Sequence, residues 1–165
     1  MNSVERFDPS SKLWVCSPPM LELRFRHGVA TIRNRLYVSG GFGENTVLYS
    51  VERFDPEVGC WERLRPMSFS RASHAVVAFY GNLFVLGGAT YEDDTETAPA
   101  ECYDASHGVW TARVDMLCER ACVGAGVLLL ARASSHRDEM CDRGPSPRRR
   151  RLNSSLERRP RSVSP

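Results

Sequence analysis

The segment Val4-Glu5-Arg6-Phe7-Asp8-Pro9 returns as Val51-Glu52-Arg53-Phe54-Asp55-Pro56, 47 residues later, and Trp14 returns as Trp61 at the same spacing. A looser third copy runs Ala100-Glu101-Cys102-Tyr103-Asp104 and ends at Trp110, 49 residues after Trp61. Self-similarity with a period of about 40–50 residues is the mark of a repeat architecture and constrains the fold more than any local motif. Each repeat is one supersecondary unit that buries its faces only against its neighbours.

Within the period the same chemistry recurs in order. Trp14, Trp61 and Trp110 are each followed six residues later by Met20, Met67 and Met116, and four residues past each methionine stands Arg24, Arg71 or Arg120. His27 and His74 come next, with Val123 in the third copy. Two apolar stretches follow in each of the first two units: Gly28–Ile32 then Leu36–Gly41, and Ala75–Phe79 then Leu83–Gly88. They are short, rich in Val, Phe, Tyr and Leu, and bounded by turn residues, so they predict strands. The intervening Arg33-Asn34-Arg35 and Tyr80-Gly81-Asn82 carry the Asn and Gly that tight hairpins favour. Val51–Phe54 alternates apolar with polar, as a half-exposed strand does. The expected unit is four antiparallel strands: an inner hairpin, a Gly-Gly exit, a loop and an outer hairpin. Gly40, Gly41, Gly87 and Gly88 let the chain leave the inner strand through dihedrals closed to other residues. Trp14, Trp61 and Trp110 are suited to filling the wedge between units.

Gly-Gly after an apolar strand, an aromatic-Asp pair, and Trp followed by Met and Arg together resemble the kelch repeat. Val-Glu-Arg-Phe-Asp-Pro and Pro-Met-x-x-x-Arg resemble in particular the kelch-like (BTB–BACK–kelch) family, over about residues 2–128. The resemblance implies an all-β fold, a β-propeller of four-stranded blades. The chain is long enough for only part of one: an outer hairpin at 2–20, blades at 24–67 and 71–116, and the first strand of a next blade at 120–130. Where the next Gly-Gly is due stand His136 and Arg137.

After Leu130 the composition turns to Arg, Ser and Pro. Residues 1–130 carry a net charge of −4 and residues 131–165 a net of +6. Such a segment has too few apolar residues to order itself, so 131–165 is expected to be a disordered tail. The loss of register inside a strand predicts an altered or truncated C-terminus, and the chain reads as a truncated isoform or fragment without BTB and BACK domains. Two complete blades leave edges and faces uncovered, which favours association with other chains.

No catalytic site is expected. His27 and His74 occupy one repeat position, which is the behaviour of a blade-building residue. The chain has no G-x-S-x-G, no nucleotide-binding glycine loop and no H-E-x-x-H. Its six cysteines form no C-x-x-C pair; Cys118 and Cys122 lack partners to complete a zinc set. No metal and no cofactor are expected. No apolar run approaches the roughly 20 residues of a membrane span, so no membrane partner is expected. Met1–Glu5 has no basic or apolar leader region, and reduced thiols agree with a cytoplasmic or nuclear location.

Recognition is expected on loops carried by the rigid blades. Candidate partner-binding residues are Glu44 and Asn45, at the tip of the Phe42–Leu48 loop, and the acidic Glu92, Asp93 and Asp94 of the corresponding loop in the next blade. Arg26 and Ser73, six residues past Met20 and Met67, enter the inner strands on the same rim. The Arg26 guanidinium can grip a carboxylate at two points. Arg24 and Arg71 recur with the repeat and are expected to hold their loops together. Nucleic acid is not expected as a partner; the Arg148–Arg151 run is the one feature that would attract phosphate. The family resemblance implies a protein-interaction module, the substrate-recognition propeller of a cullin-type ubiquitin ligase adaptor, reaching the cullin only through domains missing from this chain. The alternatives are an actin-binding kelch scaffold and an isoform without independent activity.

Overall fold

A computed structural model describes residues 1–90, 99–114, 116–117 and 124–128, with backbone only at 112–114. The chain divides into two units, Met1–Leu129 and Leu130–Pro165. The second, expected to be a disordered tail, lies outside the described residues.

The described residues form ten strands and no helix: β1 (Val4–Asp8), β2 (Leu13–Ser17), β3 (Gly28–Ile32), β4 (Arg35–Ser39), β5 (Val51–Asp55), β6 (Cys60–Leu64), β7 (Ala75–Phe79), β8 (Asn82–Leu86), β9 (Ala100–Asp104) and β10 (Val109–Val114). They form a two-stranded sheet β1-β2 and two four-stranded antiparallel meanders, β3-β4-β5-β6 and β7-β8-β9-β10. This is the architecture of a partial β-propeller, with β3 lying beside β7 at the joint between the two complete blades. Within the expected first strand of a next blade, 120–130, residues 124–128 carry no regular secondary structure and the rest lie outside the described residues.

The inner hairpins turn at Arg33-Asn34 and Tyr80-Gly81, one residue shorter than the sequence suggests, because Arg35 and Asn82 already belong to the following strands. All four turn residues have positive φ, between 46° and 76°. That is the mirror-image turn whose twist matches paired strands. The outer hairpins are fastened by a recurring aspartate. Asp8, Asp55 and Asp104 each accept a backbone N–H two residues on, from Ser10, Glu57 and Ser106 at 2.8–3.0 Å. The hydroxyls of Ser10 and Ser11 hold the Asp8 carboxyl at a pKa of about 2.

The first joint buries Met20, Val38 and Trp61, with Val4, Leu36 and Phe54 packed against them. The second buries Val51, Met67 and Val85, with Leu64, Val76 and Trp110 alongside. Trp61 and Trp110 thus lie where the wedge-filling expectation puts them. Trp14 does not: among the described residues it is 66% exposed. The Gly-Gly exits are tight. A Cβ on Gly40 would meet the Arg71 carbonyl oxygen at 2.3 Å, so the approach of the next blade excludes any side chain there.

In each of the two blades one buried ion pair holds the exit to the third strand. Arg24 donates to the Gly40 carbonyl at 2.7 Å and to Glu52 at 2.6 Å. Arg71 repeats this with the Gly87 carbonyl at 2.9 Å and Glu101 at 2.7 Å. The carboxylates also accept backbone N–H groups of the segment entering the blade: Leu21 and Glu22 for Glu52, and Ser68 for Glu101. Burial pushes the Arg71 guanidinium below its ordinary pKa, and the Glu101 carboxylate opposes that shift.

Breaking one member of such a pair leaves an uncompensated buried charge. Arg71→Met should therefore cost about 3–5 kcal/mol, and replacing Arg71 and Glu101 together by apolar residues should recover part of that loss. Trp61→Ala should also cost about 3–5 kcal/mol through the lost wedge. Chemical denaturation of the three variants against the parent chain checks these values.

Candidate functional site: the rim at the blade entrances

Arg26 and Ser73 precede β3 and β7, and both have positive φ, 53° and 56°. The strained backbone is stabilised across the joint, where the Ser73 N–H donates to the Arg26 carbonyl at 2.9 Å and the Gly41 N–H donates to the Arg71 carbonyl at 2.8 Å. The first bond ties the two blade entrances together, and the second ties the second blade's entrance to the first blade's exit. The two rim positions expected from the repeat are thereby brought side by side.

The Phe42–Leu48 loop rises next to them. Phe25 and Phe42 exchange backbone hydrogen bonds of 3.0 and 2.8 Å, and their rings lie 5.2 Å apart. The exposed Arg26 guanidinium sits over the Phe42 ring, 5.8 Å from its centroid. A cation over an aromatic face is attracted by the ring quadrupole and gives up side-chain freedom. Beyond Phe42 the chain turns at Glu44 and Asn45, closed by the Gly43 N–H donating to the Thr46 carbonyl at 2.8 Å, and both tip residues are exposed. One continuous rim thus presents Arg26, Glu44 and Asn45, with Ser73 half-buried at its inner edge.

In the second blade the corresponding bridge joins Ala72 to Ala89 by bonds of 3.0 and 2.9 Å. The loop leaves from the same place. Its acidic residues Glu92, Asp93 and Asp94, expected on this rim, lie outside the described residues.

Arg24 and Arg71 are buried beneath the rim, tied to carbonyls and carboxylates as described, and are not available to a ligand. The two histidines also face inward. His74 Nε2 is 3.0 Å from Ser39 Oγ across the joint. Burial, with help from the Arg71 charge, lowers the His74 pKa to about 3. Burial and Arg24 lower that of His27 too. Both rings are neutral packing groups at neutral pH. Among the described residues no group of three or more His, Cys, Asp or Glu gathers as a metal-ligand set.

Sequence reasoning missed Phe25 and Phe42, the platform under Arg26, and the structural glutamates Glu52 and Glu101. The glutamates had a signal, since Glu follows Val or Ala in all three copies at Glu5, Glu52 and Glu101. The phenylalanines had none, because their repeat counterparts are Ala72 and Ala89.

The arrangement is that of a propeller segment with an open, partly charged rim. The sequence profile of the Kelch motif matches residues 23–68, which span the first complete blade from its arginine anchor past the buried Met67. No curated protein matches the chain. Kelch propellers generally mediate protein–protein interaction and are typically non-enzymatic.

His74 makes stability pH-dependent. A histidine whose folded pKa lies below its unfolded value of 6.5 leaves stability complete above pH 6.5. Stability is then lost as pH falls toward 3, with a slope approaching roughly 1.4 kcal/mol per pH unit for one proton. The melting temperature should drop between pH 7.5 and 5.0, and His74→Gln should flatten that drop even if it melts lower at pH 7.5. An unchanged slope would remove His74 as its source.

Proposed function

We propose that this chain is a protein-interaction module that takes an acidic segment of a partner protein on the rim formed by Arg26, Ser73 and the Glu44-Asn45 turn. The observation that carries the reading is the exposed Arg26 guanidinium, held over Phe42 on a backbone fixed by the neighbouring blade. Such a cation loses little freedom on binding, and its planar fork suits a carboxylate. The Kelch motif supports the general class of activity, since propellers of this kind present loops to other proteins.

Within that class the module serves as the substrate-recognition propeller of a cullin-type ubiquitin ligase adaptor, the cullin being engaged through domains outside these 165 residues. The likeness of Val-Glu-Arg-Phe-Asp-Pro and Pro-Met-x-x-x-Arg to the kelch-like repeat supports this finer reading. A recognition module without its ligase-binding domains competes with the intact adaptor, so expressing it in cells should lengthen the half-life of the partner it captures.

The test compares partners captured by the tagged chain and by Arg26→Glu, identified by mass spectrometry, with thermal melting as the control for folding. If the Arg26 carboxylate contact is buried on binding, its loss should cost roughly 2–5 kcal/mol of affinity while melting is unchanged. Arg26→Glu together with Glu44→Lys leaving every partner in place overturns the rim assignment. Capture of a partner whose half-life does not change, or co-sedimentation with actin filaments, overturns the ligase reading while leaving the rim intact.

A further inference from the structure

We propose that the 165-residue chain associates with further copies of itself head to tail, the Trp14 face of one copy seating on the far end of the last blade of another. The two joints inside the chain share one arrangement at their outer hairpins. In the first, the Trp61 indole N–H donates to the Pro18 carbonyl at 2.8 Å, and its ring packs with Met20 and Val4. In the second, the Trp110 indole N–H donates to the Arg65 carbonyl at 2.9 Å, and its ring packs with Met67 and Val51. Each joint therefore has a knob and a socket. The knob is a tryptophan of a fourth strand, paired with the aromatic opposite it: Phe54 with Trp61, and Tyr103 with Trp110, at 5.2 and 5.1 Å. The socket is the end of the preceding unit's fourth strand, the methionine after it, and the first residue of its third strand.

Among the described residues three units supply three knobs and three sockets, and the two internal joints use two of each. The unused knob is Trp14, which stacks on Phe7 at 5.4 Å just as its counterparts do. It is 66% exposed where Trp61 is 8% exposed. The unused socket is the end of β10 with Met116 after it and Ala100 opposite Val114 in register. Ala100 and Met116 are half-buried, whereas Val51 and Met67 in the filled socket are almost wholly buried. Leu117 beside Met116 is fully exposed. Knob and socket lie on opposite ends of the row of units, so the contact pairs different surfaces and can extend from copy to copy. A second copy is the occupant because it carries the one surface already shaped, twice within this chain, to fit each end.

Sedimentation velocity of the whole chain over about 1–100 μM should show association that grows with concentration. Trp14→Ser and Met116→Glu each destroy one end only. Each should weaken self-association at least about tenfold, as expected for a central interface residue. Circular dichroism should show that both keep the parent's strand content. The distinguishing experiment mixes the two variants. Each retains one intact and different end, so an equimolar mixture should form a one-to-one complex and stop there. A monomeric parent chain overturns the proposal, as does Trp14→Ser that associates like the parent. A mixture that stays monomeric also overturns it, because a self-complementary interface cannot be restored by combining two broken halves. If Met116→Glu loses strand content, Ala100→Glu takes its place in the mixture with the same expected results.

Discussion

A positive charge with no access to water organises each blade. Arg24 and Arg71 reach from the segment that enters the blade, grasp the carbonyl of the first exit glycine, and meet a glutamate of the third strand. An unpaired buried charge is so costly that each arginine can be tolerated only when its glutamate and carbonyl partners are all in place. Three pieces of chain remote in sequence are thereby fixed to one point. Gly40 then becomes obligatory, because the neighbouring blade's backbone passes close over that point. The tryptophan wedges and methionine sockets pack around a geometry that the ion pairs have already set.

The rim inherits its order from this arrangement. Arg26 and Ser73 adopt a backbone conformation that costs non-glycine residues something like 1–3 kcal/mol, and the hydrogen bond between them crosses the joint. A single isolated blade would lack that bond. The recognition proposed for this rim would therefore depend on the same contact that packs the blades together. The side chain that faces outward is positioned by a backbone whose strain is relieved by the neighbour.

Much of the fold was legible because the period exposes what no single element does. Val-Glu-Arg-Phe-Asp-Pro read once is an ambiguous short strand; read twice, with Trp and Met in register, it fixes strand order and both four-stranded sheets. Arg24 and Arg71 could be recognised as internal because they recur, and Arg26 as a candidate for binding because its guanidinium stands where the chain enters an inner strand. The same logic hid the aromatic platform, since Phe25 and Phe42 face Ala72 and Ala89 across the alignment and a feature found once carries no periodic signal. It also overstated Trp14. A repeat tells which side chain is made to be covered, and only the structure tells whether a neighbour covers it. The outcome at Tyr80 and Arg33 was unexpected for a related reason: hairpin twist imposed positive φ on residues with bulky side chains, and local preference yielded to strand pairing.

The segment between second and third strands is 11 residues long in the first blade, from Gly40 to Ser50, and 13 in the second, from Gly87 to Pro99. That difference is the whole reason the period lengthens from 47 to 49, yet Arg71 meets Gly87 and Glu101 as Arg24 meets Gly40 and Glu52. The guanidinium pins both ends of the segment, so whatever is spliced between them is mechanically insulated from the sheet. In effect each blade holds a socketed cassette. Its length and chemistry can drift under selection for a new ligand without the frame having to be rebuilt.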